Sequence, residues 1–335
     1  MSEKVKWGIL STANIGVKKV IPAMQAGEFS EIVAIASRDG EKVKQVAREL
    51  GIPRAYGSYQ ELLADASVDA IYNPLPNHLH MPVTIQCMNA GKHVLCEKPV
   101  AINTSEVREL IKARDRQKVK VGEAFMVRTH PQWVTTRQLI AQGEIGDLKS
   151  IHGFFSYFNN DPRNIRNIPE FGGGALYDIG CYPVHTSRFI FGEEPQRVAS
   201  LIDYDPDLKV DRLVSVLMDF PSGQATFTAA TQIQRHQTMQ FFGTKKMIEI
   251  EIPFNAPDDR PCRILINDGD ISTQATQVIT IEACNQYTLQ GDAFSQAILQ
   301  DTEVPVPLED SLHNMAVIEA IFRAGGSGRW ENLGK

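Results

Sequence analysis

The sequence predicts an α/β protein. A doubly wound parallel sheet is expected in residues 1–122, followed over 123–335 by an α+β domain with an open, largely antiparallel sheet. Three observations predict it. Short apolar runs alternate with helical patterns as far as Gly122, the order that right-handed crossovers between parallel strands require. Beyond Pro195, alternating and β-branched runs follow one another without helices between them, as antiparallel neighbours do. And 335 residues exceed what one ordinary core organises, so two domains are expected.

Apolar residues make up 43% of the chain and charged residues 22%, as in ordinary globular proteins. The 34 basic and 40 acidic side chains leave a net charge of −6, with no block of either sign. Neither nucleic acid nor an anionic membrane is indicated as a partner. A strand-like run opens at Val5 with no apolar signal region before it, and no stretch reaches the ~18 apolar residues of a membrane span. Five scattered cysteines (Cys87, Cys96, Cys181, Cys262, Cys284) form no CxxC and fit reduced thiols in a cytoplasmic protein. There is no internal repeat and no low-complexity tract.

The first domain begins with an apolar run over 5–10. The loop Ser11-Thr12-Ala13-Asn14-Ile15-Gly16 then enters a helical pattern reaching about residue 25. Strand, small-residue loop and helix are the context of a dinucleotide-binding fingerprint. Small side chains let the backbone approach a pyrophosphate, and the helix start offers N–H donors and a positive dipole end. The loop reads S-x-A-x-x-G where the full fingerprint has three glycines, so a turn without a ligand is the other reading. The next strand, 31–36, ends in Ser37-Arg38-Asp39, about where a ribose-reading residue falls. An acidic residue at the strand's tip would bond the 2′-hydroxyl of NAD. Ser37 and Arg38 instead offer a hydroxyl and a guanidinium suited to the 2′-phosphate of NADP. Asp39 is expected to cap a helix over 41–50. An arginine paired with a surface carboxylate is the alternative.

A helix over 59–64, a strand over 68–72 and the turn Asn73-Pro74-Leu75-Pro76-Asn77-His78 come next. A helix over 80–90 follows, stopped by Gly91. His78 and His80 have H-x-H spacing, but no thiol or carboxylate cluster joins them, so capping or cofactor-edge contacts are expected and a metal is not. The strand 93–96 halts at Glu97-Lys98-Pro99. Ligands of open α/β sheets bind outside the carboxyl ends of the strands. Lys98 there can donate to a substrate oxygen, with Glu97 holding its ammonium; a solvated surface turn is the blander account. Proline also lets the Lys98–Pro99 bond adopt the cis form at little cost. A helix over 104–117, entered through Asn103, and a strand over 120–123 complete the domain.

Three stretches carry a resemblance: Gly8-Ile9-Leu10-Ser11-Thr12-Ala13-Asn14-Ile15-Gly16, Tyr72-Asn73-Pro74-Leu75-Pro76-Asn77-His78-Leu79-His80 and Gly91-Lys92-His93-Val94-Leu95-Cys96-Glu97-Lys98-Pro99. In that order they resemble the glucose–fructose oxidoreductase / inositol dehydrogenase (Gfo/Idh/MocA) family. Within it the similarity is to the NADP-dependent branch that contains D-xylose dehydrogenases and dihydrodiol dehydrogenases. The resemblance implies a Rossmann fold, a catalytic Lys98, a cis Lys98–Pro99 bond and a Pro74–His80 loop flanking the cofactor. The expected cofactor contacts are then Ser11, Thr12, Ala13, Asn14, Ile15, Ser37, Arg38, Pro74, Leu75, Asn77, His80, Glu97 and Lys98. Ser11 and Ala13 stand where many members have glycine.

The second domain opens with a helix over 131–142, a long strand over 148–158 and the polar loop Asn159-Asn160-Asp161-Pro162-Arg163-Asn164-Ile165-Arg166. Gly172-Gly173-Gly174 then opens a helix reaching about residue 191. Along it Asp178, Tyr182 and His185 are spaced i, i+4 and i+7, one face of an α-helix. A carboxylate, a phenol and an imidazole in one stripe can move a proton. The blander account is a dipole-favoured aspartate, a core aromatic and a satisfied buried histidine. Gly172 to Tyr182 also resembles the family's second-domain motif, in which the aspartate orients the substrate and the residue four later exchanges the proton. Tyrosine there is the choice of the dihydrodiol branch. Strands follow over 197–203, 213–220, 224–230, 238–242, 247–251, 262–266 and 278–282, with helices over 287–300 and 311–325. The resemblance implies a homodimer or homotetramer built through the open sheet face.

These readings converge on an NADP-dependent oxidoreductase, with NAD the lesser candidate, acting on a sugar, polyol or vicinal diol. Lys98, Tyr182 and Asp178 are the catalytic candidates. Arg163 and His185 join them as substrate contacts, and Asn164 and Arg166 could complete the pocket. Two rivals are a redox-neutral, nicotinamide-assisted glycoside-cleaving enzyme and a catalytically silent NADP-binding regulator.

Overall fold

The computed structural model describes residues 3–272 and 275–334. The chain divides into two compact units, residues 1–129 with 285–312, and residues 130–284 with 313–335.

The first unit is organised by a six-stranded sheet. Its strands are β1 (Val5–Leu10), β2 (Ser30–Ala36), β3 (Arg54–Tyr56), β4 (Ala70–Asn73), β5 (His93–Cys96) and β6 (Val121–Glu123). They lie in the order β3-β2-β1-β4-β5-β6, and every pairing is parallel. This is the order of a dinucleotide-binding Rossmann sheet, with its switch point between β1 and β4. The crossovers are α1 (Ile21–Gln25), α2 (Gly40–Glu49), α3 (Tyr59–Leu63), α4 (Asn77–Asn89) and α5 (Thr104–Gln117). Local chemistry starts them as expected. Asp39 accepts from the Lys42 N–H at the head of α2, and Asn103 accepts from the Glu106 N–H at the head of α5. α4 begins at Asn77, three residues before its expected start. Pro76 at φ −58° leads straight into the helix, since proline presets a dihedral that a first turn accepts.

The core is Trp7, Ile9, Ile35, Tyr72 and Leu95. The helix Gln286–Leu299 packs on it: Phe294 lies 5.5 Å from the Trp7 ring, and Trp7 Nε1 donates to Ser295 Oγ at 3.1 Å. Residues 285–312 therefore cluster with the first unit, where the sequence pattern alone runs them on with the second.

The second unit is built on nine strands. They are β7 (Leu148–Phe158), β8 (Arg197–Tyr204), β9 (Asp211–Asp219), β10 (Gln224–Ala230), β11 (Gln232–Gly243), β12 (Met247–Ile250), β13 (Cys262–Asn267), β14 (Gln277–Ile281) and β15 (Glu331–Asn332). Their order is β14-β13-β12-β11-β7-β10-β9-β8-β15. All pairs are antiparallel except β7 with β10. The helices α6 (Pro131–Ala141) and α7 (Cys181–Phe191) belong to this unit. Alternate residues of β9 and β10 (Val214, Val216, Met218; Ala225, Phe227, Ala229) are buried, as the two-residue period of a strand dictates. β11 starts six residues before its apolar run, because Gln232 still pairs with Phe158 across a bulge.

Candidate active site

In the first unit the loops after β1, β2, β4 and β5 leave from the same, carboxyl edge of the sheet. Ser11 takes a left-handed φ of +65°. It is held there by its N–H on the Ala36 carbonyl (2.7 Å) and by its Oγ, which accepts from the Ala13 N–H (3.1 Å). The helix that follows opens on a π turn, Gly16–Val20, before α1. Thr12, Ala13 and Ile15 are half-buried and Asn14 is exposed, so the loop presents backbone and small side chains at a helix start, the chemistry of a pyrophosphate cradle. After β2, the Ser37 N–H donates to the Tyr56 carbonyl (3.1 Å), and its Oγ accepts from the Asp39 N–H (3.3 Å). Arg38 is exposed and makes no ion pair among the described residues. The Asp39 carboxylate is occupied at the head of α2. A guanidinium and a hydroxyl without a competing carboxylate fit a 2′-phosphate.

The loop after β4 is fixed from within. Asn73 donates to Thr84 Oγ1 (3.1 Å) and to the His80 carbonyl (3.3 Å), and accepts from the Leu75 N–H. Pro74 and Leu75 are buried, and Asn77 heads α4. His80 is buried between two carbonyls, with Nε2 2.5 Å from Leu75 O and Nδ1 2.6 Å from Pro99 O. Carbonyls only accept, so two simultaneous bonds would require the imidazolium. Burial opposes that charge and lowers the pKa to about 4, so the neutral ring donates to one carbonyl at a time. Through those two contacts His80 joins the loop after β4 to the Lys98–Pro99 segment, whose peptide bond is cis.

Two side chains absent from the sequence expectations steady that segment. Buried Tyr72 donates to Glu97 Oε1 at 2.6 Å, and burial followed by the Glu97 charge pushes its phenol well above the ordinary tyrosine range. Glu123, at the end of β6, accepts from the Val100 N–H at 2.9 Å. Carboxylates at strand ends were the signal available for Glu123; nothing local marked Tyr72.

In the second unit each glycine before the helix has its own reason. Gly172 sits at φ +73°, a Cβ on Gly173 would meet the Arg166 and Ile168 carbonyls, and one on Gly174 (φ +113°) would collide with Oδ1 of Asp211. The helix then starts with a π turn, Leu176–Gly180, and continues as α7. The expected α-helical spacing of Asp178, Tyr182 and His185 therefore gives way to i→i+5 geometry over its first turn, and contacts, not spacing, fix where these side chains sit. Asp178 Oδ2 accepts from Tyr157 OH (2.6 Å) and Oδ1 from Arg166 Nε (2.9 Å). Burial and the Asp178 charge raise the Tyr157 pKa above the ordinary tyrosine range, which keeps that phenol a donor. Tyr182 is buried against Phe254 (5.4 Å) and Phe155 (5.9 Å). His185 is buried on α7. Arg163 is 89% exposed and forks onto Asp161, and Asn164 caps the turn holding Arg166. Arg166, and not Arg163, is the arginine that reaches Asp178. Among the described residues no cluster of three or more His, Cys, Asp or Glu could hold a metal ion, and no helix is long and apolar enough to cross a membrane.

Known proteins are similar in sequence and fold. The family model for "Oxidoreductase family, NAD-binding Rossmann fold" matches residues 5–125, and that for the GFO/IDH/MocA C-terminal domain matches residues 133–249. An uncharacterized oxidoreductase of Rhizobium meliloti, ORF334, is 44% identical over 331 residues, 98% of this chain and 99% of its own length. The D-xylose 1-dehydrogenase (NADP(+)) 2 of Haloferax volcanii is 37% identical over 96% of this chain and 98% of its own. Among solved structures, the 3-ketoreductase KijD10 of Actinomadura kijaniata, in complex with NADP and TDP-benzene, has a TM-score of 0.89 at 26% identity, over 96% of this chain and 98% of that one. Its tyrosine-to-phenylalanine and lysine-to-alanine variants have been solved with the same ligands.

The collision at Gly174 is open to measurement. Gly174→Ala should lose about 1–3 kcal/mol in a urea melt from backbone strain, with displacement of Asp211 added to it. Gly192→Ala shares the left-handed backbone but meets open space, so it should lose less, about 1 kcal/mol. Equal losses would show that the approach of Asp211 is not what demands glycine.

Proposed function

The chain belongs to the GFO/IDH/MocA oxidoreductase family, with its NAD-binding Rossmann fold and its C-terminal domain, and from that membership we propose an NADP-dependent dehydrogenase or reductase of a sugar, polyol or vicinal diol. Lys98 is the observation that carries the reading. It stands at the carboxyl end of β5, on the edge from which the Ser11 and Ser37 loops also leave, where this class of sheet binds its ligands. The nicotinamide, when bound, supplies or accepts the hydride at a carbinol carbon. The chain's own groups do the rest. Lys98 donates to the reacting oxygen and stabilises developing alkoxide charge. Tyr182 exchanges the hydroxyl proton, and Asp178, held by Tyr157 and Arg166, accepts from substrate hydroxyls. The Haloferax relative is named for D-xylose and NADP, and KijD10 was solved with NADP; both support the choice of substrate class and cofactor. The lysine and tyrosine varied in KijD10 are the residue types proposed here.

Lys98→Ala should bind NADP normally and lose ~10²–10⁴-fold in kcat, the scale of a positioned acid–base group. Tyr182→Phe should lose activity comparably with little change in Tm. A larger effect from His185→Asn would move the proton to His185. Assays on aldoses, inositols and diols should show net NADPH formation or consumption over many turnovers. Turnover without net redox change would favour the glycoside-cleaving rival, and no turnover the silent regulator.

Cofactor choice rests on Arg38 and Ser37. Hydrogen bonds to charged groups contribute roughly 1.5–3 kcal/mol, so Arg38→Ala should weaken NADP by about 10–150-fold while leaving NAD nearly unchanged. Wild-type protein that binds NAD and NADP equally in a fluorescence titration would overturn the assignment.

We also propose that the chain forms a homodimer or homotetramer through the sheet of the second unit. One face exposes Leu201 (79%) and Trp330 beside the half-buried Phe154 and Leu217, and exposed apolar side chains grouped in this way are a liability in a monomer. Leu201→Glu should reduce the mass found by sedimentation velocity; a wild-type monomer at micromolar concentration would refute the interface.

A further inference from the structure

We propose that Asp211 is a positioning residue for this reaction: its buried carboxylate fixes the start of the helix that carries Asp178 and Tyr182, and so sets the orientation in which those two groups meet the substrate. The inference rests on the oxidoreductase reading above and extends it to a residue remote from the motif.

The geometry is specific. Asp211 is the first residue of β9 and is 3% exposed. Its Oδ2 accepts from the Leu176 N–H at 2.7 Å, and the carboxylate also accepts from the Ala175 N–H. These are two of the first donors of a helix start, which lack intrahelical partners. Gly174 lies against Oδ1 so closely that no side chain fits between them. The carboxylate thus holds the backbone immediately before Asp178 on one side and the glycine turn on the other. It takes part in no ion pair among the described residues. Neighbouring Arg212 is turned to Asp203.

Its titration offers a readout. Burial raises the Asp211 pKa to about 7; the backbone N–H donors oppose that rise, and the Asp178 charge adds to it. The groups facing it are Asp178 from the helix and Tyr204, its partner across β8 and β9. The adjoining end of β10 brings Ala230 and Thr231, which do not titrate. Above about pH 7 the ionised carboxylate accepts from both N–H groups. Below it, a protonated oxygen becomes a donor facing donors, and the helix start loosens.

Asp211→Asn keeps the shape and makes that loss permanent. With NADP and whichever aldose or diol the wild type turns over, kcat should fall about 10- to 100-fold at pH 8, the scale of a displaced catalytic group, while KM for NADP stays unchanged. The ratio of wild-type to variant kcat should approach one at pH 6 and rise through about pH 7, a behaviour that general destabilisation would not produce. A ratio that is flat with pH, or close to one throughout, overturns the proposal. If the wild type turns over no substrate, the functional reading falls separately. Hydrogen exchange of the 175–180 backbone then decides: greater protection in wild type than in the variant at pH 8, converging at pH 6, sustains the role of Asp211, and equal protection at pH 8 refutes it.

Discussion

A parallel strand can be followed by another parallel strand only after the chain has crossed back over the sheet. In the first unit this places the loops after β1, β2, β4 and β5 on one edge, and with them the residues proposed to meet the cofactor. It also concentrates loop backbone at that edge, and loop backbone must find partners. Here acidic side chains supply some of them: Asp39 takes the Lys42 N–H and Glu123 takes the Val100 N–H, while Glu97 accepts from the Tyr72 hydroxyl. With those carboxylates committed to holding the chain, Arg38 stays exposed at the end of β2, next to the buried Ser37. The NADP preference proposed above rests on that division of labour as much as on Arg38 itself.

The second unit solves a different problem. A helix start leaves N–H groups without intrahelical partners, and those groups need acceptors. Asp211 supplies one from a strand 35 residues along the chain, and Gly174 makes room for it. The arrangement costs stability. The folded chain binds the Asp211 proton more tightly than the unfolded chain, because its pKa rises from 3.8 to about 7. On this account stability is fully present below about pH 4 and is lost progressively as pH rises to about 7. At pH 8 the protein keeps an ionised carboxylate buried where a neutral group would be more stable, a conflict of the kind expected where a site is held for function.

Much of the fold was legible locally. The bounds of β1, β5, β7, β10 and α5 coincide with their sequence patterns, because apolar runs, caps and prolines act over a few residues. The family was legible too, through three motifs that match it in order. What escaped the sequence depends on packing between distant segments. Tyr72 reads as one more apolar strand residue until β4 and β5 pair and bring it to Glu97. Phe294 gives no sign that it rests on Trp7. Arg163 and Arg166 are equally plausible pocket residues in a polar loop; only the turn capped by Asn164 decides which one reaches Asp178.

The same limit explains why Asp178 was visible and Asp211 was not. Both aspartates lie at the start of one helix, where its positive dipole end favours negative charge. Two carboxylates in a dry place raise each other's proton affinity, so their partners must differ if they are to differ in role. Asp178 has the guanidinium of Arg166 as a countercharge and the Tyr157 hydroxyl as a donor. Among the described residues Asp211 has only backbone N–H groups as donors. The first carboxylate thus accepts from two side chains, the arrangement that its proposed role toward substrate hydroxyls needs. Backbone donors keep the second in place but leave its proton within reach of neutral pH. The motif names the carboxylate proposed to face the substrate, while the carboxylate that holds the backbone beneath it is found only by asking where the helix's first N–H groups go.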